Sequence, residues 1–453
     1  MRYGSDYLID NEFLKRVFKV AWPSVLESVF IALAGIIDTY MVSSLGTYAI
    51  SAVGLTTQPK FIGLAIFFSI SIAVSALVAR RKGEEDRRSA NEVLVTAFIL
   101  AMLLCLIITT VMVTLSDPIL KLAGSKTDTH KYAIEYFDII MGFSVFNIIS
   151  IVINAAQRGS GNTKIAFTTN LVSSVVNISF NYILINGKFG FPAMGVRGAA
   201  IATILGTFVA SIMSIRSLFK KDSYVSLPFI IKYKIKPAFE ALIKIIKLGL
   251  NMFAENLAMR VGFLSTALMA ASLGTDQFAA HNVGMNVLSI GFAFADGMQV
   301  AAVALSGEAL GAKKYDDAVT YGKTCQKVGF VISLVLSAVL LLFGKYIFGA
   351  FFQDEAVINY GVMIGRFITV IVICQISQII YGGCLRAAGD VKYTLIASII
   401  SVSIIRSVST YILVNVFHLG LMGIWMGVLS DQFSRYIFMS TRFKQGKWVE
   451  KKI

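Results

Sequence analysis

Long apolar runs dominate the chain, and short polar segments separate them. A run of about 20 or more apolar residues is long enough to cross a bilayer as a helix. The pattern predicts twelve such helices, an all-α membrane protein: Phe13 to Leu45, Ala49 to Ala79, Ala90 to Leu115, Tyr132 to Ala156, Ile165 to Ile185, Met194 to Phe219, Ala238 to Leu273, Gln277 to Leu310, Ala318 to Phe351, Val357 to Leu385, Tyr393 to Phe417 and Leu421 to Phe443.

Composition agrees with this pattern. Of the 453 residues 56% are hydrophobic and 15% charged, with a mean hydropathy of +0.74, which is outside the range of soluble domains. The net charge of +15 lies in loops and ends, so it indicates orientation rather than nucleic-acid binding. The first run is too long for a signal peptide, so we expect it to be retained. The four cysteines lack metal-type spacing, which predicts free thiols.

Basic residues cluster at alternate connections between the runs. Because such clusters mark the cytoplasmic side, both termini are predicted to be cytoplasmic in a cell membrane. The clusters are Arg80, Arg81, Lys82, Arg87 and Arg88, the cations between Lys220 and Lys247, and Lys313 with Lys314.

An internal repeat relates the two halves at a constant offset of 228 residues. It places Glu27 on Glu255, and Arg158 of "RGSGNTK" on Arg386 of "RAAGDVK". We therefore predict an N-lobe of six helices at 1–219, a cytoplasmic linker at 220–238 and a C-lobe of six helices at 239–453. Since each lobe has an even number of spans, a pseudo-two-fold axis along the membrane normal should relate them, with a cleft between.

Two carboxylates interrupt the first apolar run, Glu27 and Asp38. They lie 11 residues apart, so they project from one helix face about 16 Å apart. A carboxylate in hydrocarbon is costly and marks either a functional site or a structural ion pair. The counterpart of Asp38 is Thr266, so only the first lobe has an acid at that depth. This asymmetry predicts a cation site at Asp38.

Amides on the fourth and fifth runs are candidate partners for Asp38. Asn177 and Asn181 lie one helical turn apart, and Asn147 and Thr39 add further oxygens. Such a set suits Na⁺ and equally a hydrogen-bonded, protonatable aspartate. The alternative is that these amides join helices by structural hydrogen bonds.

The second half carries its own buried polar groups. Glu255 needs a partner, and Arg260 or Arg406 could supply it as an ion pair. Gln375 is the counterpart of Asn147, so it and Gln378 are expected in the cleft, while the role of Asp296 is open. The predicted cleft residues are Glu27, Glu255, Arg260, Gln375, Gln378 and Arg406.

Several stretches together resemble the multidrug and toxic compound extrusion (MATE) family. They are "DTYMVSSLGTYAISAVGL", "RGSGNTK", "VNISFNYILINGKFGFPAMGVRGAAIAT", "SLGTDQFAAHNVG", "AAVALSGEALGA" and "RAAGDVK". The resemblance covers nearly the whole chain. It implies two six-helix lobes around a central cleft, alternating access, and efflux of organic, mostly cationic compounds in exchange for Na⁺ or H⁺.

The resemblance also assigns roles to residues. Asp38 matches the family's coupling aspartate, and Asn177 and Asn181 match its fifth-span partners. DinF-like members have an aspartate at the position of Asn181, and NorM-like members have one on the tenth span, where this chain has Gln375. Glu255 matches the family's seventh-span glutamate. The chain therefore departs from both patterns, which leaves Na⁺ and H⁺ open as coupling ions.

Other functions are less consistent with the sequence. A flippase for a lipid-linked substrate is the alternative kept open, since Arg260 and Arg406 could bind pyrophosphate. The chain has no filter-like loop of a channel, and its three histidines are dispersed, so no enzyme is predicted. We expect no cofactor beyond the coupling ion, small organic cations and membrane lipid as partners, and a monomer.

Overall fold

The computed structural model describes residues 11–123, 125, 127–220, 223–352 and 354–451, and these residues are nearly all helical. The helices are α1 (Asn11–Ser43), α2 (Thr47–Gly83), α3 (Arg87–Thr114), α4 (Ser116–Leu122), α5 (Thr127–Gly142), α6 (Ser144–Gly159), α7 (Thr163–Asn186), α8 (Gly195–Ser217), α9 (Leu227–Lys232), α10 (Phe239–Ser272), α11 (Thr275–Gly311), α12 (Tyr315–Gly349), α13 (Glu355–Ala387), α14 (Val391–Ser398), α15 (Ser407–Tyr411) and α16 (Gly420–Lys444).

Eight helices in the described part of the chain are long and apolar enough to cross a membrane, or nine if α5 and α6 form one span. These two replace the single predicted run Tyr132 to Ala156, and they meet at a 45° bend beside Phe143. The predicted number of twelve spans stays a prediction. α2 continues past its apolar run through Arg80, Arg81 and Lys82.

The helical stretch Val391–Val416 is not α-helical throughout. π-helical segments, Ile399–Arg406 and Ile412–Val416, follow α14 and α15. A π turn holds more residues than an α turn and is rare outside functional sites. The counterpart in the first half, α7, is α-helical along its whole length.

Helix positions confirm the repeat and its register. The ranges Thr47–Gly83 and Thr275–Gly311 differ by 228 at both ends. The turn glycines Gly161 and Gly389 also differ by 228, and their φ angles are 83° and 79°. Positive φ strains residues with a side chain, so glycine is expected at both turns.

Two compact units make up the chain. The N-unit is Leu26–Leu250, and the C-unit comprises the described parts of Met1–Val25 and Asn251–Ile453. The divisions fall inside α1 and α10, whereas the predicted lobes, 1–219 and 239–453, break at a linker; those lobe boundaries stay a prediction.

The predicted linker packs against the N-unit. Arg87 on α3 donates to the carbonyl oxygen of Tyr224 at 2.9 Å, and the backbone N–H of Ser226 donates to the Asn91 side chain at 3.0 Å. The first polar segment after α8 is therefore tied to α3.

A buried cluster in the N-unit holds the end of α1 in place. Val42 packs there with Tyr136 of α5, Ile185 of α7 and Val196 of α8. Burying each large apolar side chain contributes about 1.5–3 kcal/mol. Because Val42 lies one turn after Asp38, this cluster sets where the Asp38 carboxylate points.

Candidate functional site

Asp38 is held by two amides of α7. Asn181 Nδ2 donates to Asp38 Oδ1 at 2.8 Å. With its amide nitrogen facing the carboxylate, Asn177 donates to Oδ1 at 2.6 Å and Oδ2 at 3.1 Å, and accepts from Thr203 Oγ1 at 3.1 Å. Both asparagines are buried. The structure thus brings together the three residues predicted for the coupling site.

Close packing of α7 against α8 closes this cluster from behind. Thr203 and Gly206 lie on α8, and a Cβ at Gly206 would come within 2.7 Å of the Ser173 carbonyl oxygen and 3.1 Å of Asn177 Cβ. Only glycine therefore lets the two helices approach this closely. The approach brings the Thr203 hydroxyl to the Asn177 amide.

A cavity of 140 Å³ lies beside Asp38. Thr39, Thr57, Tyr136 and Asn181 are among its lining residues. At about 30 Å³ for each water, the cavity can hold a few waters or a partly hydrated ion. The carboxylate therefore borders an open space that hydroxyl and amide groups share with apolar residues such as Val42 and Val53.

The two remaining predicted partners are less directly involved. Thr39 lines the cavity, but its hydroxyl donates to the carbonyl oxygen of Gly35 at 2.9 Å. Asn147 on α6 makes no hydrogen bond to Asp38, Asn177 or Asn181 within the described residues. Both assignments stay predictions.

Sequence reasoning missed Lys60, Tyr136 and Thr203. The charge of Lys60, on α2, acts on Asp38. A lysine within the run Ala49 to Ala79 is the same kind of signal that drew attention to Asp38, since intramembrane charges usually have a functional or structural partner. Thr203 and Tyr136 gave no such signal.

The corresponding place in the C-unit carries the opposite charge. Thr266 is the counterpart of Asp38, and its hydroxyl oxygen accepts from Arg406 Nε at 2.8 Å. Arg406 Nη1 lies 3.4 Å from Asp431 Oδ2, and Asp431 is the counterpart of Thr203. Arg435 Nε completes the group at 2.8 Å from Asp431 Oδ1. All three charged residues are buried.

Glu27 and Glu255 occupy equivalent ion pairs. Arg158 Nη1 donates to Glu27 Oε1 at 2.7 Å, and Arg386 Nη2 donates to Glu255 Oε1 at the same distance. A third group also corresponds by the repeat: Asn170 donates to Glu27 at 2.6 Å and Ser398 donates to Glu255 at 2.8 Å.

The predicted partners of Glu255, Arg260 and Arg406, are therefore wrong. The partner is Arg386, which stands at the end of α13 where Arg158 stands at the end of α6. The shared arginine of "RGSGNTK" and "RAAGDVK" was the signal that could have found it.

The other predicted cleft residues lie on separate helices of the C-unit. Gln375 and Gln378 on α13 are buried, and Gln375 Oε1 is 2.6 Å from where a Cβ of Gly291 on α11 would stand. Arg260 on α10 is exposed, and so is Asp296 on α11. The cleft assignment of Gln375, Gln378 and Arg260 stays a prediction, and the role of Asp296 stays open.

The donor set at Asp38 suits hard, singly charged cations. It offers one carboxylate, two amides and hydroxyl groups, all with oxygen atoms, which favour ions such as Na⁺ and also accept protons. Among the described residues, no group of three or more His, Cys, Asp and Glu side chains could hold a metal ion. A carboxylate with amide and hydroxyl neighbours can bind a light cation or a proton.

Comparisons with known proteins agree with the fold. The MatE family model matches residues 23–183 and 252–412, one match in each half. A probable multidrug resistance protein NorM of Thermotoga maritima is 27% identical over 459 residues, covering 100% of this chain and 98% of the relative. An uncharacterised transporter, YisQ, of Bacillus subtilis is 25% identical and covers 96% and 95%.

A solved structure has the same fold. It is the outward-facing conformation of a multidrug resistance MATE family transporter, with a TM-score of 0.88, 25% identity, and coverage of 96% of this chain and 97% of that one. Apolar spans, the two-lobe fold and transporter relatives together indicate a multi-pass membrane protein. On the two matches to the family model, the chain belongs to the MatE family of multidrug efflux transporters.

Proposed function

We propose that the protein exports organic, mostly cationic and lipophilic compounds by antiport with a cation that binds at Asp38. The observation that carries this proposal is the group Asp38, Asn177 and Asn181 beside a cavity that can admit water or an ion. The C-unit has a tethered guanidinium at the corresponding place, so only the N-unit offers a carboxylate there to an exchangeable cation.

H⁺ is the first candidate for the coupling ion. The amides of Asn177 and Asn181 donate to Asp38 Oδ1 at 2.6 Å and 2.8 Å, so they contact the carboxylate directly and leave no ion-sized gap between them. A proton needs no such gap, because it binds to a carboxylate oxygen that faces the cavity.

Na⁺ is the second candidate, and the cavity supports it. A separation of 2.6 Å between Asp38 and Asn177 leaves no room for an ion between them. An ion would instead occupy the 140 Å³ cavity and contact Asp38 from the side of Thr39 and Tyr136.

Coupling follows because the ion and the substrate favour different conformers. A cation at Asp38 neutralises the carboxylate and favours one conformer, whereas a cationic substrate favours the other. By linkage each then lowers the affinity for its competitor, and the ion gradient drives export. We further propose that both termini face the cytoplasm and that one chain carries out the cycle.

The test is transport of ethidium in proteoliposomes with Na⁺ and pH gradients imposed separately. The unmodified chain should export dye under one gradient, and Asp38→Asn should lose that transport while remaining folded. Asp276→Asn is the control, since it removes an exposed carboxylate from the first turn of α11. Retained gradient-driven export in Asp38→Asn would exclude Asp38 from coupling.

A flippase for a lipid-linked substrate remains the alternative. Arg406 gives it little support, because this guanidinium is buried and shares Asp431 with Arg435. If neither gradient moves dye in well-folded protein, a lipid-linked substrate is the next to assay.

A further inference from the structure

A basic cavity of 670 Å³ lies in the N-unit where α7 begins and α8 ends. Lys164, Arg216 and Lys220 line it and are exposed. None of the three forms an ion pair with a residue that the structure describes. The ammonium of Lys82 is nearby, 3.4 Å from where a Cβ of Gly161 would stand. The cavity thus concentrates positive charge at one end of the helices.

The same place in the C-unit contains its own anion. Asp390, the counterpart of Asn162 in the cavity wall, is 1% exposed. It accepts from Arg442 Nε at 2.7 Å and also from Lys451 Nζ. One half of the chain therefore neutralises this position internally, and the other has a neutral amide there.

Aromatic side chains also fill the place in the C-unit. Trp448, the counterpart of Lys220, is fully buried and donates to the Phe443 carbonyl oxygen at 3.0 Å. Tyr393, the counterpart of Ile165, donates to the Phe438 carbonyl oxygen at 3.1 Å. In the N-unit the smaller Ile165 and the extended Lys220 line an open space instead.

We propose that this cavity binds a phosphate group, from an anionic lipid headgroup or from a soluble phosphate ester. The ligand would supply the negative charge that Asp390 supplies in the C-unit, and basic pockets between membrane helices bind such headgroups. Met213 and Phe219 form an apolar part beside the cations, which suits the glycerol and first acyl carbons of a lipid. This proposal is independent of the transport function.

Binding to the purified full-length chain in dodecyl maltoside tests it. Native mass spectrometry measures retention of phosphatidylglycerol against phosphatidylcholine, and competition with glycerol 1-phosphate measures the soluble source. Preferential retention of phosphatidylglycerol identifies the lipid headgroup. Binding of glycerol 1-phosphate without that preference identifies a soluble ester, and both outcomes support a phosphate site.

Two variants locate the site. Lys164→Gln with Arg216→Gln should weaken binding of the phosphate ligand by about 10-fold to 30-fold, as expected for two interfacial cations. Asn162→Asp keeps every cation but supplies the acid of the other half, so it should weaken binding about 10-fold. Lys15→Gln with Lys19→Gln removes two exposed cations of α1 and should leave binding unchanged.

Two outcomes would overturn the proposal. Phosphatidylcholine also carries a phosphate, but its choline cancels the charge, so it is the control for a lipid without net negative charge. If phosphatidylglycerol and glycerol 1-phosphate bind no better than phosphatidylcholine, the cavity is not a site for an anionic phosphate group. The same holds if the α1 control loses as much binding as the cavity variants. Should the double variant fail to fold, as judged by its thermal unfolding, Asn162→Asp decides alone, because it removes no cation.

Discussion

Asp38 and Thr266 occupy equivalent positions in the two halves, yet their surroundings differ in charge. In the N-unit a carboxylate is hydrogen-bonded to two amides beside a cavity. In the C-unit a hydroxyl accepts from Arg406, whose charge is balanced by Asp431. Under the proposed function, the first half exchanges its cation with solvent, whereas the cation of the second half is the Arg406 guanidinium itself.

The two glutamates show the opposite behaviour. Glu27 and Glu255 each accept a hydrogen bond from the equivalent arginine at 2.7 Å. Each also accepts one from a side chain at the equivalent position of the next helix. What both halves share is therefore structural support, and what differs between them is the candidate for function.

The largest effect is expected from substituting the same position in both halves. Asp38→Asn should lower gradient-driven transport by about 100-fold, because it removes the charge that couples ion and substrate. Thr266→Asn should change transport little, since an amide oxygen can still accept from Arg406. Equal losses in the proteoliposome assay would mean that the halves contribute alike.

The free energy of unfolding should fall more for a substitution in the C-unit cluster than for Asp38→Asn, which is the opposite of the order expected for transport. Arg406→Leu leaves Asp431 with Arg435 alone and should cost about 3 kcal/mol in the free energy of unfolding. Asp38→Asn should cost less, because Asn177 and Asn181 can also hydrogen-bond to an asparagine. Thermal unfolding in detergent measures both, with Lys345→Leu at an exposed position of α12 as the control. A larger loss in Asp38→Asn would contradict the proposed division of roles.

Matched effects are expected at the two glutamates. Glu27→Gln and Glu255→Gln each weaken a charged hydrogen bond to arginine and should lower stability by about 1.5–3 kcal/mol, by similar amounts. Thermal unfolding compares them directly. Loss of transport in one variant alone would show that this pair is not purely structural.

The smallest effect is expected at Lys60. Lys60→Gln removes a positive charge that acts on Asp38, so the apparent affinity for the coupling cation should rise by about threefold. The dependence of transport on pH or Na⁺ concentration measures this, and Lys345→Gln, exposed on α12, is the control. An unchanged affinity would remove Lys60 from the site.

Much of the fold was predictable because hydrocarbon imposes a strong pattern. The apolar runs locate the helical segments, and the repeat offset predicts equivalent turns such as those at Gly161 and Gly389. The bend at Phe143 lies between Gly142 and Ser144, residue types that often mark helix kinks, but the apolar pattern alone does not contain this signal. The π-helical segments likewise leave no periodic signal.

The candidate site was predictable where charges are rare. Asp38 stands out in an apolar run, and Asn177 and Asn181 share a helix face. The partner of a residue on another helix could not be predicted from the rarity of charges alone. Glu255, for example, pairs with Arg386, which is 131 residues away. Lys60 carried the right signal, but spacing along the chain does not show which helix faces it.

The π-helical segment Ile412–Val416 has a consequence for tolerance to insertions and deletions. A π turn contains surplus backbone, so one residue can be deleted there and the segment can continue as an α-helix. Because Arg406 precedes this segment, its contacts with Thr266 and Asp431 need not rotate away. In α7 a deletion before Asn177 would turn both asparagines about 100° from Asp38. The stretch Val391–Val416 should therefore tolerate a one-residue deletion that α7 would not tolerate.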